Sequence, residues 1–171
     1  MKYQSAIETP YGRVGIIMNG DRISRLILPR LEEPDLQAAI QFMDGNQRIE
    51  WRALHPAIIK KISSYFTGIA VHPDLQVDYT DATDFDIRVW ETAKNIPYGT
   101  TVSYTKLAEM IGKPNACRAV GNALGRNPVP IIVPCHRILR SDGTLGGFSA
   151  GLPWKRVLLD IETNANKATG G

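Results

Sequence analysis

Cys135, His136 and Arg137 stand consecutively, and a thiol beside an imidazole and a guanidinium is a combination able to attack carbon. Cysteine reacts as the thiolate; a free thiol has a pKa of about 8.5, so activation needs a cation, a base or a helix N-terminus. Neighbours on a strand point to opposite faces, so contact between Cys135 and His136 requires a turn or a bridging water. Pro128, Pro130 and Pro134 precede them. They exclude a regular helix or a central strand and predict a stiff, extended lead, with a turn or short helix starting at Pro134. A buried structural cysteine beside a core histidine is the competing reading. Cys117, Cys135, His55, His72 and His136 are the only Cys and His residues, and no Cys-x-x-Cys or His-x-x-x-His pair joins them. No metal site and no cofactor are expected from so scattered a set. One disulfide could form, but free thiols are the expectation for a reducing compartment.

The elements that must position this group can be read along the chain. Alternating stretches Tyr3–Ile7, Arg13–Met18 and Ile23–Leu28 predict strands, separated by turns at Thr9-Pro10-Tyr11-Gly12 and Asn19-Gly20-Asp21. Asn19-Gly20 is a hairpin signal, both positions tolerating positive φ. Helices are predicted over Pro34–Met43, closed by Asp44-Gly45, and over His55–Thr67, with Gly68 past its end. Val77–Asp84 is an acidic, polar stretch fit to link two lobes, with Asp84 capping a helix to about Asn95. Ile96-Pro97-Tyr98-Gly99 is a turn. Helices Tyr104–Ile111 and Ala116–Gly125, joined through Gly112-Lys113-Pro114-Asn115, have the proportions of a helix-turn-helix unit. Ser141–Gly147 is a turn, a closing helix spans about Pro153–Thr163, and a small, polar tail follows. The expected organisation is a β-rich lobe with helices over residues 1–80, a mostly helical domain over 81–163 and a disordered tail over 164–171.

With 171 residues, 43 % of them hydrophobic and 22 % charged, the chain has enough material for a packed core, and wholesale disorder is excluded. No apolar run approaches the 18 or more residues of a membrane span, and no secretory signal is visible, so a cytoplasmic protein without membrane contact is expected. Charge is uneven: residues 1–85 balance to −2 and residues 86–160 to +5, so polyanion contacts are expected in the second half.

Six blocks occur in one order: Ile96-Pro97-Tyr98-Gly99, Val102-Ser103-Tyr104, Arg118-Ala119-Val120-Gly121, Asn127-Pro128-Val129-Pro130-Ile131, Pro134-Cys135-His136-Arg137 and Gly143–Ser149. Together they closely resemble the O6-alkylguanine-DNA alkyltransferases, also called methylated-DNA–protein-cysteine methyltransferases. The resemblance is dense from about Asp84 to Glu162 and only architectural over residues 1–80. It implies an α/β fold with an N-terminal ribonuclease H-like lobe and a C-terminal helix-turn-helix domain. It also implies DNA repair by direct reversal: a damaged guanine is flipped from the duplex and its alkyl group passes irreversibly to a cysteine. O4-alkylthymine is a further candidate substrate. The implied partner is double-stranded DNA bound through the minor groove by a monomer.

Residue by residue, the resemblance makes Cys135 the acceptor, with His136 and Glu162 completing a carboxylate–histidine–water–cysteine relay. Tyr104 would donate its hydroxyl to guanine N3 as the base departs, and Asn127 would brace the active-site turn. Arg118 matches a finger that fills the space of the extruded nucleotide. Ala116, Ala119, Gly121 and Asn122, with Arg118, belong to a helix whose small residues allow close approach to the minor groove. Pro130, Phe148 and Ser149 match the wall of the base pocket, where the Ser149 N–H would meet guanine O6. The carbonyls of Cys135 and Ile138 would accept from the exocyclic amine. Phe148 stands where some members carry tyrosine, and Cys117 where alanine is frequent. A non-enzymatic sensor of the alkyltransferase-like type shares the scaffold but lacks the cysteine. A Cys-His-Glu hydrolase would need an oxyanion hole and would turn over many times.

Overall fold

In a computed structural model the described residues are 1–31, 43–44, 47–69 and 75–169. The fold is α/β and divides into two compact units, Met1–Asp78 and Tyr79–Gly171. In the first, β1 (Lys2–Thr9), β2 (Gly12–Asn19) and β3 (Arg22–Ile27) form an antiparallel meander. A short strand, β6 (Glu50–Trp51), adds parallel to β1, which makes the sheet mixed, in the order β3-β2-β1-β6. β4 (Met43–Asp44) and β5 (Gln47–Arg48) pair separately. Val14 to Met18 in β2 is buried throughout, as expected of an inner strand covered on both faces. α1 (Pro56–Phe66) packs on β1 through a face that includes Ile62, Tyr65 and Phe66.

One local expectation needs correction here, and a second overlaps the described residues only at its last position. In the β2–β3 turn the left-handed residue is Gly20 (φ +61), the first of the two loop residues between paired Asn19 and Arg22. Glycine in the first loop position thus takes the place of an Asn-Gly pair. The helix expected over Pro34–Met43 lies outside the described residues except for Met43, which begins β4.

The second unit is mainly helical: α2 (Asp84–Lys94), α3 (Tyr104–Met110), α4 (Cys117–Gly125) and α5 (Leu152–Thr169). The cap of α2 is Thr83, one residue before the expected Asp84. Its hydroxyl accepts from Asp86 N (3.1 Å), and Asp86 Oδ2 returns to Thr83 N and Oγ1. α2 is fastened to α4 by Trp90 Nε1 donating to Ala123 O (2.9 Å) and by Arg126 reaching Asp86 at 2.6 Å. β7 (Val102–Ser103) and β8 (Ile138–Leu139) pair in parallel. That pairing brings the start of α3, capped by Ser103, beside the turn that carries Cys135. The expected end of α5 at Thr163 is also corrected. Asn164 to Thr169 contains no glycine or proline and includes helix-favouring Ala and Lys, so the helix continues to Thr169. Replacing Thr83 with Ala leaves the N-terminus of α2 uncapped. It is expected to lower unfolding stability by about 1 kcal/mol, read as a lower urea midpoint; an unchanged midpoint would contradict the capping role.

Candidate active site

The segment before Cys135 is folded back on itself rather than extended. Val133 N donates to Val129 O (3.0 Å), and Pro130 and Val133 form an isolated bridge. Ile131 has φ +75, a left-handed conformation costly for a β-branched residue and sustained only where surrounding bonds enforce it. Asn127 supplies those bonds. Its Oδ1 accepts from Val129 N (3.0 Å), and its Nδ2 donates to Val133 O (3.0 Å) and to Cys135 Sγ (3.1 Å). The extended-lead expectation fails because a buried side-chain amide, invisible to local pattern, replaces the backbone donors that proline removes.

Residues Cys135–Arg137 then form one 3-10 turn after Pro134, all three side chains buried. The turn sends the thiol toward Asn127 and the imidazole toward α5. His136 Nε2 lies 2.6 Å from Glu162 Oε1. Glu162 also accepts from Arg137 Nε (3.0 Å to Oε2), from a second guanidinium nitrogen (3.0 Å to Oε1) and from Gly99 N (2.8 Å). Arg137 in turn donates to Ile96 O at 2.6 Å. Burial alone would raise the Glu162 carboxyl, but His136 and Arg137 hold it down at about 2. Burial lowers His136, so the imidazole is neutral beside an already compensated carboxylate. Because Nε2–H faces Glu162, Nδ1 is left as the basic nitrogen. Burial pushes the Cys135 thiol up to about 11, opposed by Asn127 and by the ammonium of Lys155.

Tyr104 opens α3. Its ring lies against Gly121 and Gly146: a Cβ at Gly121 would sit 3.8 Å from the ring, and one at Gly146 only 2.8 Å from it. Gly146 (φ +66) is therefore required both by its backbone and by the close approach. Burial raises the Tyr104 phenol above its ordinary value. Lys155, fully buried on α5, donates to Ile138 O (2.6 Å) and Gly147 O (3.2 Å), with its ammonium 5.8 Å from the centre of the Tyr104 ring. Burial lowers this lysine to about 8.

These groups open on a cleft of about 910 Å³, within the ~300–1,000 Å³ common for small-molecule sites. Cys135 lies at its base, only 4 % exposed yet part of the lining. One wall is a stripe of α4, Arg118, Gly121, Asn122 and Gly125, spaced so that they share one helix face; Cys117 also lines the cleft. The other wall includes Gly146, Gly147, Phe148 and Ser149, and Tyr104 lies between. Of the residues anticipated from sequence, Cys135, His136, Glu162, Tyr104 and Asn127 form one cluster, and Arg118, Gly121, Asn122, Phe148 and Ser149 line the cleft above it. Ala119 is exposed on α4 and Ala116 precedes it as the N-cap, both off the lining. Pro130 and Ile138 are buried and are not among the lining residues; the Ile138 carbonyl already accepts from Lys155.

Three residues escaped the sequence reading. Lys155 had a usable signal: it sits two helical turns before Glu162 on the stripe of Trp154, Leu158 and Ile161, an apolar face where a lysine is out of place. In the sequence Arg137 stands out only as charge next to the thiol, because its pairing with Glu162 spans 25 positions. Arg140 had no signal beyond its charge. Both cysteines are free thiols, and among the described residues no cluster of His, Cys, Asp or Glu is placed to hold a metal. Nor is any described helix long and apolar enough to cross a membrane.

Fold and site together define an α/β protein with a buried thiol at the foot of a cleft of about 910 Å³. The family profile for the 6-O-methylguanine DNA methyltransferase DNA-binding domain matches residues 84–164. A Methanosarcina barkeri methylated-DNA–protein-cysteine methyltransferase is 36 % identical over 169 residues, covering 95 % of this chain and 98 % of its own. The crystal structure of Mycobacterium tuberculosis OGT in complex with DNA is 34 % identical, with a TM-score of 0.79 over 95 % of this chain and 94 % of that one. An O6-methylguanine-DNA methyltransferase from Pyrococcus kodakaraensis, 24 % identical, shares the fold with a TM-score of 0.70 over 95 % of this chain and 99 % of its own. The chain belongs to the methylated-DNA–protein-cysteine methyltransferase family.

Glu162 has a depressed carboxyl, so its contribution to stability is present above the unfolded value of about 4.3 and is lost as pH falls toward the folded value of about 2. Glu162→Gln also leaves Arg137 as a buried, uncompensated charge. It is expected to cost about 3–5 kcal/mol at neutral pH and to flatten the loss of stability across that acid window, both measured by denaturant titration at a series of pH values. A variant as acid-sensitive as the parent would contradict this.

Proposed function

We propose that this chain repairs DNA by a single irreversible transfer of an alkyl group from O6-alkylguanine to Cys135. The observation that carries the reading is a buried thiol at the base of a cleft with ample room for a purine, beside a neutral His136 that is anchored on Glu162. With the thiol pushed up to about 11, little thiolate exists at neutral pH, and a base is needed. His136 Nδ1 takes the thiol proton through a water, and Glu162 stabilises the imidazolium that results. The Sγ lone pair then forms the C–S bond at the alkyl carbon while the carbon–O6 bond breaks. Its electron pair leaves with the guanine, which takes the Tyr104 hydroxyl proton at N3. Burial keeps that phenol protonated until it is used, and the Lys155 ammonium favours the thiolate. A thioether is inert to hydrolysis, and among the described residues lining the cleft there is no group able to cleave it, so each chain acts once. The presence of Cys135 favours transfer over a sensor of the alkyltransferase-like type.

On this reading α3 and α4 act as a helix-turn-helix whose second helix enters the minor groove. Arg118 fills the stack, and the small Ala116, Ala119 and Gly121 permit close approach beside Asn122. Ser149 meets guanine O6, Phe148 packs on the base, the Cys135 carbonyl accepts from its amine, and Pro130 shapes the turn behind the thiol, while the buried Ile138 carbonyl is held by Lys155 and stands off the cleft lining. The first unit fits a ribonuclease H-like lobe, a reading supported by its antiparallel meander with the parallel strand β6 beside β1. The substrate is double-stranded DNA, the acting form a monomer and the compartment the cytoplasm. Cys135→Ala is expected to keep binding to lesion-bearing duplex while transfer of a radiolabelled methyl group falls to background. The parent chain is expected to repair one guanine per molecule. Continued turnover, or transfer by the variant, would contradict the proposal.

A further inference from the structure

Every charged group on the cleft lining is a cation: Arg118 on α4 and Arg140 just after β8, both exposed, with no aspartate or glutamate among the lining residues. Lys155 adds positive charge from below, but its ammonium is committed to two carbonyls. Arg118 has a place in the proposed extrusion step; Arg140 has none. The backbone at Arg140 is fixed by a tight turn: its N donates to Thr144 O (2.9 Å), and its O accepts from Gly143 N (2.9 Å). Asp142, the acid within that turn, accepts from Thr144 N (2.9 Å) and Thr144 Oγ1 (2.7 Å), which fixes its carboxylate on the turn. Arg140 is itself one of the residues lining the cleft, and its charge, after the Thr144 bonds, helps hold the Asp142 carboxyl below its ordinary value.

An exposed guanidinium on a rigid turn, at the mouth of a cleft that lacks acids, suits an anion outside the cleft better than a neutral base within it. We propose that Arg140 binds a backbone phosphodiester beside the extruded nucleotide, so that Arg118 and Arg140 bracket the opening from opposite walls. This rests on the alkyl-transfer reading and adds to it a strand-holding contact on the side away from α4. Its consequence is that the chain distinguishes a lesion within a polynucleotide from the same lesion as a free base. Neutralising one phosphate with one cation also leaves a defined trace in the salt dependence of binding.

The test compares the full chain with Arg140→Gln and Arg140→Lys, using two probes: a duplex carrying one O6-methylguanine, and free O6-benzylguanine. For Arg140→Gln the ratio of duplex rate to free-base rate is expected to fall roughly fivefold at low salt, as for one exposed ionic contact. The slope of log binding constant against log salt is expected to be shallower by about 0.9, the value for one phosphate. Arg140→Lys is expected to restore the slope. An unchanged slope, or equal losses on the two probes, would overturn the phosphate contact. A parent chain inert toward both probes would instead refute alkyl transfer, while the salt slope, which needs binding alone, would still decide the role of Arg140.

Discussion

One buried carboxylate ties the site together. Glu162, near the middle of α5, accepts from the imidazole of His136, from the guanidinium of Arg137 and from the backbone of Gly99. These partners come from two separate stretches of chain and Glu162 from a third, so the 3-10 turn, the loop after α2 and the closing helix are pinned at a single point. A carboxylate removed from water is costly unless its oxygens are occupied, and here both are. Arg137 makes the arrangement affordable and also keeps His136 neutral, because the carboxylate is already compensated without an imidazolium. A neutral imidazole is the form that can take a proton. Structural and chemical demands therefore meet in the same ion pair.

The thiol sits at the other end of that turn, held by a different device. Proline at three positions removes backbone donors, and the Asn127 amide stands in for them, bonding two backbone groups and the sulfur itself. Strain at Ile131 is tolerated because this bracket is closed on both sides. The cleft depends on missing side chains as much as on present ones. Gly121 and Gly146 flank the Tyr104 ring so closely that a methyl group at Gly146 would collide with it. Lys155 spans the carbonyls of Ile138 and Gly147, joining the strand after the active-site turn to the loop that forms the second wall.

Much of this was legible in the residues. The alternating stretches and their turns locate the meander, and the order of six short blocks marks residues that the fold gathers around Cys135, because those blocks lie where local conformation and chemistry coincide. What escaped depends on side-chain bonds, near and far in sequence, that alternation and spacing do not record. The Pro-rich lead looks extended until the Asn127 amide closes it. The partnership of Arg137 with Glu162 joins a turn to a helix 25 positions away. The cap falls on Thr83, one residue before the expected Asp84, and the two-residue loop is Gly20-Asp21 rather than Asn19-Gly20, the usual reach of local side-chain competition at a boundary. The prolonged α5 follows from helix-tolerant residues that small size and polarity had marked as a tail.

The central claim is that the Cys135 sulfur takes a carbon from guanine and keeps it. The most direct measurement is mass spectrometry of proteolytic fragments after incubation with an oligonucleotide containing O6-methylguanine. The account predicts that the fragment bearing Cys135 gains one CH2, that the fragment bearing Cys117 does not, and that the oligonucleotide loses the same mass. A demethylated oligonucleotide beside an unmodified Cys135 fragment would contradict it.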